Sequence, residues 1–257
     1  MAELREEQRG RARWLIIDRP VQRNTLTFGL LGELRAALAR ADGESEVRAV
    51  CLTGAGEKAF CAGADLTSAL EAGPLAAHEG RRAYAALLID LARLGKPVIA
   101  VVNGAVLGGG MGLLAACDLA IAADDARFGT PEVDLGLFPY MALAPLTRLI
   151  GRRAALELML TGRRIDAAEA RSLGLLNEVV SRPQLAARAA ELLETLCAKS
   201  PVALRLGRRA FYATQDLPYE QQLEALCAQL SLNALAQDAA EGVAAFLEKR
   251  KPEFKGH

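Results

Sequence analysis

The sequence predicts an α/β fold closed by an all-helical C-terminal region. Short apolar runs alternate with helix-period stretches as far as Val180, and after Arg182 long helical periodicities follow one another without a strand-like run. Strands alternating with helices are the pattern of a covered sheet. A chain of 257 residues, 52% of them hydrophobic, can bury a sizeable core.

The first strand is expected at Arg13 to Pro20 (RWLIIDRP), where proline ends an apolar run. A helix follows from about Phe28, because Leu30, Leu31, Leu34 and Leu38 fall on one face. Val47 to Gly56 (VRAVCLTGAG) reads as the second strand, with a glycine-rich turn at its end, and Pro97 to Gly104 (PVIAVVNG) as the third. That strand leads into GAVLGGGMGLLAACD, Gly104 to Asp118, where Gly108, Gly109, Gly110 and Gly112 stand at the mouth of an apolar helix-like run. Strand, turn and helix then recur in Asp118 to Gly129, a helix around Pro145 to Leu160, and Gly174 to Val180. The helices beyond Arg182, amphipathic and rich in Ala and Leu, suit the covering of a core or of a sister subunit.

Charge and cysteine usage narrow the class. Lys and Arg number 31, Asp and Glu 31, so no global field favours nucleic acid or an anionic membrane. Cys51, Cys61, Cys117, Cys197 and Cys227 lie far apart among apolar residues, without metal or redox spacing, and are expected to be reduced packing residues. The first twenty residues carry Glu3, Arg5, Glu6, Glu7, Arg9, Arg11 and Arg13, which leaves no apolar core for a secretory signal, so the expected location is cytoplasmic. Pro97 to Ala116 is free of charge, but Asn103 and five glycines interrupt it, and a buried strand, turn and helix is expected rather than a membrane span.

Two loops carry the chemistry. Glycine inside a helix costs roughly 1 kcal/mol relative to alanine, so the cluster from Gly108 to Gly112 calls for a close approach to backbone. KAFCAGADL, Lys58 to Leu66, offers small side chains in the same way, and Asp65 can cap a following helix. One backbone N–H from each loop can point at a single oxygen, with the second loop's helix adding its positive end; the alternative is two tight turns with close helix packing.

DRPVQRNTL, LTGAGEKAFCAGADL, GKPVIAVVNGAVLGGGMGL, CDLAIAADDARFGTPEVDLGLFP, LTGRRIDAAEARSLGLLNEVV and the terminal EGVAAFLEKRKPEF, in this order and spacing, closely resemble the enoyl-CoA hydratase/isomerase, or crotonase, superfamily over essentially the whole chain. The resemblance implies a crotonase (ClpP/crotonase-like) spiral of ββα repeats over residues 1–195, and a C-terminal helical trimerisation region over 196–257 that assembles trimers or hexamers. It implies an acyl-CoA thioester substrate, with coenzyme A as part of the substrate and no prosthetic group, metal, nucleic acid or membrane. The thioester carbonyl would be polarised by the N–H groups of Ala64 and Gly109, and Glu132 would be the general acid/base. Arg23, Thr25, Ala62, Asp65 and Leu66 match positions that line the coenzyme site, and Phe246 and Lys249 match C-terminal positions that reach the same ligand.

The chain departs from the hydratase pattern at one point. Hydratases of the family hold a water between two glutamates, one matching Glu132 and one falling three residues after Gly109, where this chain has Gly112. A single carboxylate suits proton transfer between C2 and C4, and a gain of hydration in Gly112→Glu would show that the scaffold still poises the water. The readings carried forward are hydration or double-bond isomerisation, with a single-acid lyase such as a decarboxylase, or a weakly catalytic acyl-CoA-binding or RNA-binding member of the fold, as alternatives. Tyr140 and Met141, in GLFPYMALAP, are expected to narrow the acyl pocket, with Tyr140 also able to donate a proton. Cys61 lacks a neighbouring histidine in its motif and is expected to pack, while Asp118 and Asp134 are expected to be structural or exposed.

Overall fold

The computed structural model describes residues 3–71 and 73–257; residues 1, 2 and 72 of the expected core lie outside them. The chain opens with a strand absent from the sequence reading: β1 (Leu4–Arg9) runs antiparallel to β2 (Ala12–Ile17) around Gly10, whose φ of 56° suits glycine. Beyond Leu4 the strand consists of charged or amide side chains, which suits its place at the sheet edge and hides it from a search for apolar runs. α1 (Phe28–Gly43) follows, capped by Thr27, whose hydroxyl accepts from the Leu30 N–H at 3.1 Å, and it buries Leu30, Leu31, Leu34 and Leu38 as the periodicity requires.

Three strand–strand–helix units come next. β3 (Ala49–Gly54), β4 (Ala59–Cys61) and the helices α2 (Leu66–Glu71) and α3 (Gly73–Arg93) form the first. β5 (Val98–Val102), β6 (Ala105–Leu107) and α4 (Gly109–Ala115) form the second. β7 (Leu119–Ala123), β8 (Arg127–Gly129) and the helices α5 (Tyr140–Leu149) and α6 (Arg152–Thr161) form the third. The single helix expected around Pro145 to Leu160 is thus two helices, broken at Gly151, whose φ of 78° leaves the helical region. β9 (Arg164–Asp166), α7 (Ala167–Ser172) and β10 (Glu178–Val180) complete the strands.

Each unit gives its first strand to a large sheet, ordered β1-β2-β3-β5-β7-β10, and its second to a small one, ordered β4-β6-β8-β9. From β2 onward the large sheet is parallel, and β2, β3, β5 and β7 are buried on both faces. Val50, Leu52, Val98 and Ala100 face the main core, whereas Ala49, Cys51, Ile99 and Val101 pack under α8 (Leu185–Cys197) through Leu185, Ala189 and Leu193. Two buried faces explain why these strands read as unbroken apolar runs.

α9 (Pro201–Thr214), α10 (Tyr219–Ala234) and α11 (Gln237–Leu247) follow. The expected boundary at residue 195 falls within α8, which still covers the large sheet. α9 is tied back to the core by Arg208, whose Nε lies 2.6 Å from the Asp118 carboxylate while its other nitrogens donate to the Leu91 and Leu94 carbonyls. Asp118 also accepts from the Val98 N–H and the Tyr212 hydroxyl, the structural role expected of it. Among the described residues no helix is long and apolar enough to cross a membrane, and Pro97 to Ala116 holds two short strands, β5 and β6, and the helix α4.

Candidate active site

The first loop is shaped by a parallel bridge between Leu26 and Ala64. The Ala62 N–H donates to Arg23, the Leu26 N–H to Gly63, and the Asp65 N–H to Leu26, at 3.1, 2.8 and 3.0 Å. Successive N–H groups of an extended strand point to opposite sides, so the Ala64 N–H faces away from Leu26. Asn24 anchors the arrangement: fully buried with φ of 57°, it accepts from the Arg19 N–H and donates to the Ala55 and Ala59 carbonyls. Asn103 fastens the same turn through the Gly54 and Gly56 carbonyls. Neither asparagine was singled out from the sequence as a loop-builder, although Asn24 lies inside the quoted DRPVQRNTL.

The second loop meets the first at its glycines. Gly63 has φ of 93°, and a Cβ built on it would lie 3.1 Å from the Gly109 nitrogen; one built on Gly109 would lie 3.7 Å from the Ala64 nitrogen. Gly110 has no room for a side chain, because its Cβ would run into the Cys61 carbonyl oxygen. The structure therefore brings the Ala64 and Gly109 N–H groups together at the N-terminus of α4, and among the described residues neither has a protein acceptor. Such a pair, backed by the helix end, can hold an anionic oxygen.

Glu132 is brought to the same place. The Gly108 N–H donates to Gly129 at 2.9 Å in the small sheet, Thr130 is fully buried with its hydroxyl on the Leu158 carbonyl, and a 3-10 turn from Pro131 to Leu135 presents the carboxylate. One carboxylate oxygen lies 3.0 Å from where a Cβ of Gly108 would stand, and that glycine has φ of 54°. Oε2 of Glu132 is buried and, among the described residues, is the one buried side-chain oxygen or nitrogen without a hydrogen-bond partner. Burial pushes the Glu132 carboxyl above its ordinary value, against a small pull from its own backbone N–H.

The space over Gly112 is closed by its neighbours. A Cβ there would lie 2.6 Å from the Tyr84 hydroxyl and 3.2 Å from the Ala142 Cα. Tyr84, on α3, is 8% exposed and donates to the Gly109 carbonyl. A glutamate at 112 does not simply fit. Tyr84 went unnoticed in the sequence because, spaced with Ala77, Gly80, Leu87 and Leu91, it reads as one more residue of the buried face of α3.

The other expected site residues fall into separate groups. Asp65 caps α2 through the Ser68 N–H at 3.1 Å and pairs with Arg19 at 3.0 Å; that backbone bond, then Arg19, holds its carboxyl below the usual range. Thr25 joins the cluster through Arg19, and Ala62 and Leu66 flank it in the same loop. Arg23 is exposed and, among the described residues, makes no ion pair, which leaves its charge free for a phosphate. Phe246 and Lys249 are not part of this cluster: Phe246 stands on the surface near the end of α11, beside Val243, Ser200 and Phe254, and Lys249 is exposed just beyond that helix. Tyr140 is 71% exposed against Phe138 at the start of α5, so within one chain it is not a core residue. Burial pushes the Cys61 thiol up to about 12, which leaves it protonated and packed. Among the described residues no group of metal-ligating side chains is gathered.

The family model described as enoyl-CoA hydratase/isomerase matches residues 13–257. A short-chain-enoyl-CoA hydratase of Clostridium acetobutylicum is 35% identical over 252 residues, covering 96% of this chain and 95% of the relative. The crystal structure of an enoyl-CoA hydratase from Bacillus anthracis superposes with a TM-score of 0.96 at 36% identity and full coverage of both chains. That of one from Mycobacterium smegmatis gives 0.94 at 34% identity, covering 99% of each.

Proposed function

We propose, for a chain that belongs to the enoyl-CoA hydratase/isomerase family, a single-carboxylate proton transfer on an acyl-CoA thioester, with double-bond migration as its favoured outcome. The crotonase fold and the enzyme class are those of the family. Supporting the finer reading is one observation above all: Glu132 stands half-buried beside Gly108 with one buried oxygen that has no partner among the described residues, while the space over Gly112 is filled by Tyr84 and Ala142.

In this reading the thioester oxygen sits on the Ala64 and Gly109 N–H groups. Glu132 takes a proton from C2 of a 3-enoyl thioester, the electron pair delocalises onto the oxygen, and the protonated Glu132 returns the proton at C4. The double bond moves from C3–C4 to C2–C3 and no atom is gained or lost. Each N–H is worth roughly 10²- to 10³-fold in rate and the carboxylate roughly 10² to 10⁴. Coenzyme A is part of the substrate, and protein groups alone carry these steps. Arg23 supplies charge for its phosphates, with Thr25, Ala62, Asp65 and Leu66 lining the approach, and Phe246 and Lys249 reaching it from a neighbouring subunit of a trimer or a hexamer. The buried, unpaired cysteines fit a reducing compartment, and the cytoplasm is the proposed location.

Hydration is the second reading, favoured by the activity named for the Clostridium relative. Side-by-side assays on 2-enoyl-CoA and 3-enoyl-CoA separate the two; robust water addition with negligible migration would reject the single-carboxylate reading. Glu132→Gln is expected to lower turnover at least ~100-fold with coenzyme A affinity intact, and an unchanged rate would remove Glu132 from the mechanism.

A further inference from the structure

We infer that Tyr84 determines reaction specificity at this site: its hydroxyl occupies the volume above Gly112, excludes any side chain there, and so keeps Glu132 as the only carboxylate acting on the substrate. The inference rests on the single-carboxylate reading for its chemistry, but its geometry stands apart from it. The Tyr84 ring passes 3.8 Å from where a Gly109 Cβ would be, and its oxygen ends 2.6 Å from where a Gly112 Cβ would be. The hydroxyl is not loose in that space, because it donates to the Gly109 carbonyl in the first turn of α4. The helix carrying the Gly109 N–H is thereby pinned by the same group that walls off Gly112.

The phenol is a poor substitute for an acid. Burial first, then the nearby Cys61 and Glu132, push it well above its ordinary value, with the Leu113 backbone opposing. Its proton is committed to Gly109, and the neighbouring wall is the Cα of Ala142. An ordered water needs two to four polar partners, and this side of the site offers an already occupied hydroxyl and carbon. A substrate carbon, by contrast, packs well against a tyrosine ring and an alanine. Tyr84 is therefore a positioning residue: it shapes the space in which Glu132 works without exchanging a proton itself.

Gly112 and Tyr84 should then behave as a matched pair, which a double-mutant cycle on the full-length protein reads directly. Gly112→Ala is expected to lower Tm by about 3 °C or more in the wild-type background, and to lose at least half of that penalty in a Tyr84→Phe background, where the ring stays and the oxygen is gone. Equal penalties in the two backgrounds would overturn the exclusion. The chemical arm compares Gly112→Glu with Tyr84→Leu/Gly112→Glu on the two enoyl-CoA substrates. The single substitution is expected to gain no hydration, and the double one to raise the ratio of hydration to migration about 10-fold or more. A gain from Gly112→Glu alone, or a folded double variant with the wild-type ratio, would overturn the specificity role. Failure of the single-carboxylate reading is told apart by the wild-type assay, since that outcome leaves the thermal cycle untouched.

Discussion

Glu132 carries the sharpest consequence of a single side chain. Its carboxyl is raised above the ordinary 4.5 by burial, so the folded state holds the proton more tightly than the unfolded chain does. The stability this contributes is complete below pH 4.5 and is lost as pH rises through the folded value, where an unpartnered charge must be kept buried. Glu132→Gln is therefore expected to raise Tm by about 2 °C or more at pH 8, with the difference vanishing below pH 4.5 in thermal scans across pH. The same shift places the acidic limb of the wild-type rate profile above pH 4.5, since the base must be ionised to act. A variant that gains stability while losing activity is the expected mark of a residue held for chemistry rather than for folding.

At the scale of elements, what was legible in the sequence follows from burial. β2, β3, β5 and β7 are covered on both faces and announce themselves as apolar runs, and α1 shows its leucine stripe because one face is buried. β1 was hidden because an edge strand bristling with Arg and Glu carries no such signal, and the break between α5 and α6 because Gly151 acts through its backbone alone. The two loops were readable as glycine-rich, but what fills the space above Gly112 belongs to α3, far away in sequence, and no local pattern reveals it. The tie between α9 and the sheet was equally silent. Arg208, 9% exposed, satisfies Asp118 and two carbonyls at once, so Arg208→Met leaves the half-buried Asp118 carboxylate without its cation, held only by the Val98 N–H and the Tyr212 hydroxyl. The expected cost is roughly 3 kcal/mol, read as a lowered urea midpoint at unchanged slope, and pairing it with Asp118→Leu should recover part of the loss.

The single chain leaves an apolar helical face uncovered. α10 buries none of its residues, while Leu230, Leu235, Val243, Phe246 and Leu247 are 69%, 83%, 61%, 81% and 74% exposed along α10 and α11. Apolar exposure on that scale suits the proposed association of subunits. Covering a leucine returns about 1.5–3 kcal/mol, so a handful of such residues in each copy can hold a closed ring of subunits together. Leu230→Glu/Leu235→Glu is expected to shift the species seen by size exclusion with light scattering from a multiple of the chain mass toward the 27.3 kDa of one chain. Wild-type protein that runs as a single chain at every concentration would reject the assembly. The dissociated variant also tests where coenzyme A is completed. If Phe246 and Lys249 reach the ligand from a neighbour, coenzyme A affinity should fall together with the mass, even though Ala64, Gly109 and Glu132 are untouched. Full affinity in the dissociated variant would place the whole coenzyme site within one chain, on the Arg23 loop.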